Sequence, residues 1–508
     1  MKDLVNAIEL KGISKYFGNV TANNNINLSA KQGEILALLG ENGSGKTTLM
    51  NMLSGIYRPD SGFVFVHGKE VTISSPRDSF NLGIGMIHQH FKLVEVMSAR
   101  DNIILGTKNR KKLRFKELTD EVNDICKHFG LEIDIKKKIH TMSVSEKQTV
   151  EILKVLYRGA KILILDEPTA VLTPQETEKL FDILRKMRDE GCSIIIITHK
   201  LNEVMEISNR VTVLRKGESV KTVNTAETSA RELTSLMVGK SVDLSIDRPQ
   251  PKKKLNLLKV NHLFANGDDG TPALKDVTFT LHGGEILGVA GVAGSGQKEL
   301  CEVIAGLRTA EKGSVIYDFD NILGKTPDEI IAKGISMSFI PEDRLGMGLV
   351  PSMGIVDNLM LKTYRKSKGA FVSKKSSKAL AKSLVERLGI VTGGLEAPVS
   401  LMSGGNVQKV LLGREIESNP NVLITAYPVR GLDINSSFTI YDLLNEQKKK
   451  GVGVLFIGED LDVLLELCDR IIILYGGKIT GIVEAKSATK ELLGHHMTGN
   501  LSPKGGAQ

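Results

Sequence analysis

The sequence predicts an α/β protein built from two tandem domains, each a mostly parallel sheet carrying an inserted helical subdomain. Three observations lead there. The chain has 508 residues, too many for one ordinary hydrophobic core. It repeats itself: Gly33 and Gly284 both open the wording GEIL, and the pairs Gly33/Gly284, Gly40/Gly291 and Gly62/Gly313 are all separated by 251 positions. Further on, Ser143/Ser403, Pro168/Pro428 and Arg210/Arg470 are all separated by 260. Two copies of a unit this long, the second with about nine extra residues in its middle, are homologous domains rather than a solenoid. Within each copy, short apolar strands alternate with amphipathic helices, the pattern of a parallel sheet with crossover helices.

Taken in order, Glu34 to Leu39 reads as a buried strand, and a helix opens at Gly45. The stretch from about Asp101 to Arg158 is more helical in pattern and reads as the insertion. Ile162 to Leu165 is a second buried strand. Thr173 then caps a helix with Pro174 at its first position and Glu176 closing a capping box. Leu180, Phe181, Leu184 and Met187 form the apolar face of that helix, and Gly191 ends it. Ser193 to Ile197 is the next strand. The polar, proline-bearing Asp247-Arg-Pro-Gln-Pro-Lys-Lys-Lys marks a linker. The expected division is a first domain over 1–240, a linker over 241–255, a second domain over 256–499 and a disordered tail over 500–508.

Composition narrows the function classes. Hydrophobic residues make up 41% and charged residues 25%, as in soluble globular proteins. With no tryptophan and 5% aromatics, stacking platforms for single-stranded nucleic acid are not expected. The net charge of +8 comes from short, widely separated basic runs, Arg110 to Lys112, Lys136 to Lys138 and Lys252 to Lys254, which reads as lysine on solvated faces rather than one binding patch. Cys126, Cys192, Cys301 and Cys468 show no CxxC spacing, so neither a zinc site nor a disulfide framework is expected. The N-terminal MKDLVNAIELKG has no apolar h-region. No apolar run approaches the ~18–20 residues of a membrane span, so membrane association would go through a partner.

The chemistry is concentrated in the first half. Gly40-Glu41-Asn42-Gly43-Ser44-Gly45-Lys46-Thr47 is a GxxxxGK[ST] loop between a strand and a helix. Its backbone N–H groups can wrap phosphates, Lys46 adds a point charge, the Thr47 hydroxyl can ligate Mg²⁺, and the helix start, with Thr48 following, adds its dipole. Leu163-Ile164-Leu165-Asp166-Glu167 is an apolar strand ending in two acids. Two carboxylates there are costly unless they hold a cation or accept a proton. Asp166 would position Mg²⁺, and Glu167 would orient or deprotonate the attacking water. His199, after the strand SIIIIT, is a candidate γ-phosphate sensor, its rival reading being a plain loop residue. Gln89, in MIHQHF, is a candidate contact to Mg²⁺ or water, or else a polar loop residue. Phe17, before Gly18, is either a stacking surface for adenine or a core aromatic.

Together these residues resemble the ATP-binding cassette (ABC) ATPases. The distinguishing element is Met402-Ser403-Gly404-Gly405-Asn406, similar to the LSGGQ signature of that superfamily. The resemblance covers about Ile8 to Gly499 and implies two P-loop NTPase domains that bind ATP and Mg²⁺. It narrows to the tandem ATPase subunits of ribose, galactose and nucleoside importers, closest in wording to the nucleoside branch. That implies two integral-membrane permease subunits and an extracytoplasmic binding protein as partners, with the chain peripheral on the cytoplasmic face of the membrane. The permease contacts expected are His90 to Asn102 and Asp343 to Asn358.

In such ATPases the cassettes pair head to tail. One site would join Lys46, Thr47, Gln89, Asp166, Glu167 and His199 to Ser403, Gly404 and Gly405, with every group present. The other would carry Gln297 for the lysine, Lys298 for the hydroxyl residue, Glu342 for Gln89, Ala426 and Tyr427 for the two acids, and Glu459 for His199. Its partner signature reads Met142-Ser143-Val144-Ser145, without glycines. Losing a charge-assisted phosphate contact costs about 1.5–3 kcal/mol and losing a positioned base roughly 10²–10⁴ in rate, so this site should be silent, with weak nucleotide binding left to its backbone donors. Thr173 stands where an aspartate is usual in the superfamily. The rival reading is a soluble tandem ATPase acting on ribosomes or nucleic acid; no nucleic acid partner is expected, because the linker is short and one site is degraded. A regulatory ATPase outside transport ranks last.

Overall fold

The computed structural model describes residues 6–18, 20–88, 91–106, 115–170, 172–239, 246–250, 255–339, 344–362, 364, 373–430 and 432–499. Gln89, Glu342, the tail 500–508 and most of 241–255 therefore lie outside the described residues. The chain divides into two units, Met1–Asp243 and Leu244–Gln508.

In the first unit the strands Ile35–Gly40, Ile162–Asp166 and Ser193–Thr198 are buried along their whole length. Continuous apolar runs of this kind suit a parallel sheet covered on both faces. They form the middle of a six-stranded sheet ordered Glu218–Asn224, Arg210–Arg215, Ile35–Gly40, Ser193–Thr198, Ile162–Asp166, Ile84–Ile87. All neighbours are parallel except the hairpin Arg210–Arg215 with Glu218–Asn224. Alternate residues serve opposite faces. Ile35, Leu163, Leu165, Ile194 and Ile196 pack with Val150, Leu153, Phe181 and Leu184 from helices. Leu36, Leu38, Ile164, Ile195 and Ile197 pack with Leu49 and Met50 and with a second, antiparallel sheet contributing Ile8, Leu10 and Ile26.

The sequence readings of local structure hold. Helix Pro174–Asp189 starts at Thr173 with the Glu176 capping box, buries Leu180, Phe181, Leu184 and Met187, and stops before Gly191 at φ 91°. The inserted stretch carries helices Ala99–Ile104, Phe115–Phe129 and Val144–Tyr157. Expected strand limits shift by one residue, because the ladders run on through Gly40, Asp166 and Thr198.

The second unit repeats the order: Lys478–Glu484, Arg470–Tyr475, Ile286–Gly291, Gly453–Ile457, Val422–Ala426, Ile335–Phe339. The described part of the expected linker, 246–250, lies against this unit. Arg248 donates to the carbonyls of Leu465 and Glu466, and Asn445 donates to Asp247 O.

Candidate functional site

Parallel sheets of this type open their ligand sites at the carboxyl ends of the strands. In the first unit three strands deliver the marked residues to that edge: Ile35–Gly40 leads into the glycine loop, Ile162–Asp166 ends at Asp166 and Glu167, and Ser193–Thr198 ends before His199. The loop closes tightly because its glycines leave no room for side chains. Gly45 has φ 95°, and a Cβ there would stand 2.4 Å from Ala22 O. Helix Lys46–Leu53 then begins with no side-chain cap and no acid in its first turn, so its N–H groups face the loop.

Lys46 is buried and turns its Nζ onto the loop, donating to Gly40 O at 2.7 Å and Glu41 O at 2.9 Å. Burial lowers its pKa, against the raising influence of Glu167, Asp166 and Glu41. The Ser44 hydroxyl is buried in the same loop with no hydrogen-bond partner. A buried orphan hydroxyl beside an ammonium ion is a cradle that an anionic oxygen would complete.

Thr47 Oγ1 donates to Asp166 Oδ2 at 3.3 Å. Burial, and then the neighbouring Glu167 charge, push the Asp166 carboxyl up to about 6. The Glu167 carboxyl moves the other way: burial would raise it, but the His199 contact and the charges of His199, Lys46 and Lys200 outweigh that and hold it low. His199 Nδ1 lies 2.8 Å from Glu167 Oε1. Asp166 thus keeps its carboxyl beside the Thr47 hydroxyl and Glu167 keeps its own against the imidazole of His199. Glu167 also sits at φ 47°, a left-handed backbone that costs a non-glycine residue energy. A hydroxyl and a carboxylate are hard oxygen donors of the kind Mg²⁺ takes. No group of three or more acids, histidines or cysteines that could hold a metal occurs among the described residues. A cation at Thr47 and Asp166 would therefore need phosphate oxygens and water to complete its shell.

The structure brings Lys46, Thr47, Asp166, Glu167 and His199 together. Phe17 is no core aromatic. It is 43% exposed and meets Tyr57 edge to face, with centroids 5.3 Å apart, while Lys15 Nζ lies over its ring.

The second unit keeps the backbone and changes the chemistry. Gly296 has φ 106°, and Tyr427 sits at φ 51°, matching Gly45 and Glu167. Gln297 is buried and donates to Val292 O at 3.2 Å, the carbonyl matching that of Glu41. Ala426 is 1% exposed and joins the core. Tyr427, its phenol pushed up to about 12 by burial, packs under Arg430, which lies 3.3 Å from Glu459. No carboxylate pair remains at that strand end.

The two signature helices differ in a way the sequence reading missed. Ser403 starts helix Gly404–Ile416 with no side-chain cap and no acid in the first turn. Asn406 donates to Ser403 Oγ at 2.9 Å and accepts from Val391 N at 3.0 Å, which fixes the serine while leaving the N-terminal N–H groups open. In helix Val144–Tyr157, Ser143 and Glu146 form a reciprocal capping box, with Ser143 N donating to Glu146 Oε2 at 2.7 Å and Lys137 Nζ 2.8 Å from Glu146 Oε1. That helix start is already filled by a carboxylate. The S-x-x-E spacing after Ser143 was the available signal.

A second omission is a matched pair of buried asparagines. Asn102 Oδ1 accepts from Val94 N at 2.7 Å, and its Nδ2 donates to Val94 O and Ser98 O at 3.1 and 3.0 Å. Asn358 does the same with Val350 N, Val350 O and Gly354 O at 2.8, 3.1 and 3.0 Å. Each clamps a loop that exposes apolar side chains: Val94 and Val96 in one unit, Met353 in the other.

A strand-to-helix phosphate loop with a buried lysine, beside a carboxyl pair and a histidine, defines a phosphate-loop ATPase. The comparisons are narrower. The ABC transporter family model matches residues 23–170 and 274–428, once in each unit. The chain belongs to the ABC transporter family and is an ATPase of it. It is 41% identical over 497 residues to the nucleoside import ATP-binding protein NupA of Lactococcus lactis subsp. cremoris, covering 97% of this chain and 98% of that protein. The guanosine import ATP-binding protein NupO of Bacillus subtilis is 41% identical over 504 residues, 98% of each chain. The ribose import ATP-binding protein RbsA of Corynebacterium glutamicum is 36% identical over 487 residues, covering 95% of this chain and 91% of that protein. No described helix is long and apolar enough to cross a membrane.

Proposed function

We propose that this chain is the ATP-hydrolysing subunit of an importer for nucleosides or simple sugars, and that it cleaves ATP at one site. The observation that carries the single site is the contrast between the two strand ends. One holds two carboxyls, Asp166 against Thr47 and Glu167 against His199, and the other holds Ala426 and Tyr427, which carry none and pack into the core. The importer reading rests on the relatives, whose names are those of nucleoside, guanosine and ribose import proteins over nearly their whole length.

The roles follow from the chemistry. The loop from Gly40 to Thr48 wraps the β- and γ-phosphates, and Lys46 leaves its own carbonyls to meet them. Thr47 and Asp166, with Gln89, would hold Mg²⁺, which when bound neutralises developing charge on the phosphates. Glu167 orients the attacking water in line with the γ-phosphorus and takes its proton. His199 holds Glu167 in place before ATP arrives and then donates to the γ-phosphate oxygens. Phe17 offers its exposed face to adenine. The helix start at Ser403, Gly404 and Gly405 offers open N–H groups of the kind that bind a γ-phosphate oxygen. At Ser143 the matching helix start places the Glu146 carboxylate on the N-cap N–H, which opposes an anionic oxygen there.

The partners are two integral-membrane permease subunits and an extracytoplasmic binding protein, with this chain peripheral on the cytoplasmic face. Coupling has a physical route in the first unit. The loop Lys92–Ser98 is tied to helix Val144–Tyr157 through Lys92 N to Glu151 at 2.7 Å and Lys147 to Glu95 at 2.9 Å. A displacement of that helix therefore reaches exposed Val94 and Val96. The test is a pair of variants in the purified full chain. Glu167→Gln loses ATP turnover but still binds ATP, while Tyr427→Phe keeps most of its turnover. Full activity in Glu167→Gln would overturn the site assignment. Ribosome or DNA association falling steeply with salt would favour the nucleic-acid rival.

A further inference from the structure

In the first unit, the mouth of the phosphate loop is flanked by the ring pair Phe17 and Tyr57. In the second unit the strand before the turn is offset by 250 positions, Ile8 pairing with Val66 as Leu258 pairs with Tyr317. Gly267 therefore stands where Phe17 stands, and Asp268 follows it in a turn one residue longer. Arg308 matches Tyr57, and Asp268 and Arg308 form an ion pair near where the first unit has its rings. Lys298, matching Thr47, joins it: its Nζ lies 3.0 Å from Asp268 Oδ2 and 3.7 Å from Glu302 Oε1. Arg308 Nε donates to Glu302 Oε2 at 2.7 Å and its Nη1 to Asn266 O at 2.7 Å. One aspartate therefore engages both cations, one with each oxygen, and ties the 267–271 turn to helix Gln297–Ile304 and to the segment after it. The Asp268 carboxyl is held below its ordinary range by Arg308 first and then by Lys298, and both cations are correspondingly raised.

The cleft beside this network measures about 360 Å³ and is lined by Gly267, Asp268, Asp269, Gly294 and Glu299 among others. Glu299 matches Thr48. Lys298 and Arg308, beside the cleft, are paired with Asp268 and Glu302, and Gln297 is turned onto Val292 O. The lining carries two further carboxylates, Asp269 and Glu299, and one lysine, Lys275. A triphosphate entering here would meet Gln297 and an acid-paired Lys298 where the first unit offers Lys46 and the Thr47 hydroxyl, with Glu299 in place of Thr48 and Asp268 and Asp269 close by.

We propose that this ion-pair brace stands in for a nucleotide in the second unit: it ties the 267–271 turn to the phosphate-loop helix and disfavours ATP there. The proposal extends the single-site reading but rests on the second unit alone. The test photolabels the full chain with 8-azido-ATP and Mg²⁺ and assigns the label to one unit or the other by peptide mapping. Wild-type protein takes label in the first unit only, up to about 1 mM nucleotide. Asp268→Ala, at a side chain 71% exposed, gains second-unit label by about tenfold or more and keeps first-unit label unchanged. Asp268→Asn, which removes the charge and keeps the volume, behaves the same way. Wild-type second-unit label saturating alongside the first would overturn the proposal. So would both variants leaving the second unit unlabelled. Missing first-unit label would count against the ATP site of the first unit, while the wild-type-to-variant contrast in the second unit still judges the brace.

Discussion

Asn102 is 1% exposed, and its side chain makes three hydrogen bonds, all to the backbone of the loop that carries Val94 and Val96. Asn102→Ala removes all three and leaves Val94 N–H and two carbonyls to find water. At about 1 kcal/mol net for each bond, the loss is about 3 kcal/mol. For a unit of this size, 1 kcal/mol moves a melting midpoint by about 2–4 °C, so the first unit should melt about 6–12 °C lower. The loss is local to the loop, so amide exchange at Val94 should accelerate far more than exchange in strand Ile162–Asp166. Calorimetry and hydrogen exchange on the purified chain read both quantities. ATP turnover of the isolated chain should persist, because Asn102 touches none of the phosphate-loop residues, whereas turnover stimulated by the permease should fall. A melting shift under about 2 °C, with Val94 exchange unchanged, would refute the clamp.

Other outcomes follow from the same structure. Gly43 has φ 79° with nothing within 4 Å of a new Cβ, whereas Gly45 would place one 2.4 Å from Ala22 O. Gly43→Ala should therefore cost only the backbone penalty of about 1–2 kcal/mol, and Gly45→Ala should abolish ATP binding as well, both read by denaturation and equilibrium dialysis. Phe17→Ala should raise KM for ATP roughly tenfold with kcat unchanged, the mark of lost binding common to ground and transition states; a kcat effect would move Phe17 out of the adenine role. Phe181→Ala, at a residue 1% exposed in the first core, should destabilise the first unit by about 3–5 kcal/mol. For Glu146, burial raises the carboxyl pKa, but Lys137 and Ser143 outweigh it and the pKa ends below its usual value. Its cap is thus fully present above the ordinary carboxylate pKa of about 4.3 and is lost as pH falls through the lowered value. Amide protection at Ser143 should follow that profile, and Glu146→Ala should cost about 1 kcal/mol at neutral pH.

Much of this was legible in the sequence because the signals were local. The GxxxxGK[ST] loop, the run of apolar residues ending in Asp166 and Glu167, and the Thr173-Pro174-Glu176 start each state their geometry within a few residues, and the structure places them so. The repeat spacing foretold that both sheets share one strand order. What stayed hidden depends on partners distant in sequence. Phe17 read equally as core or surface, because its neighbour Tyr57 comes from another element. The Asp268 brace needs residues up to 40 positions apart. Asn102 looks like any polar helix residue until the loop folds back over it. The Glu146 cap was local and readable, but the comparison of signatures drew attention to missing glycines rather than to the acid that replaced their function.

The central claim is that γ-phosphate cleavage occurs at one place in each chain, on the lysine-bearing loop of the first unit. Trapping ADP with vanadate during turnover and counting the nucleotide held per full chain tests it most directly. One equivalent, abolished by Lys46→Ala and kept by Tyr427→Phe, is the predicted result. Two equivalents, one surviving Lys46→Ala, would contradict it.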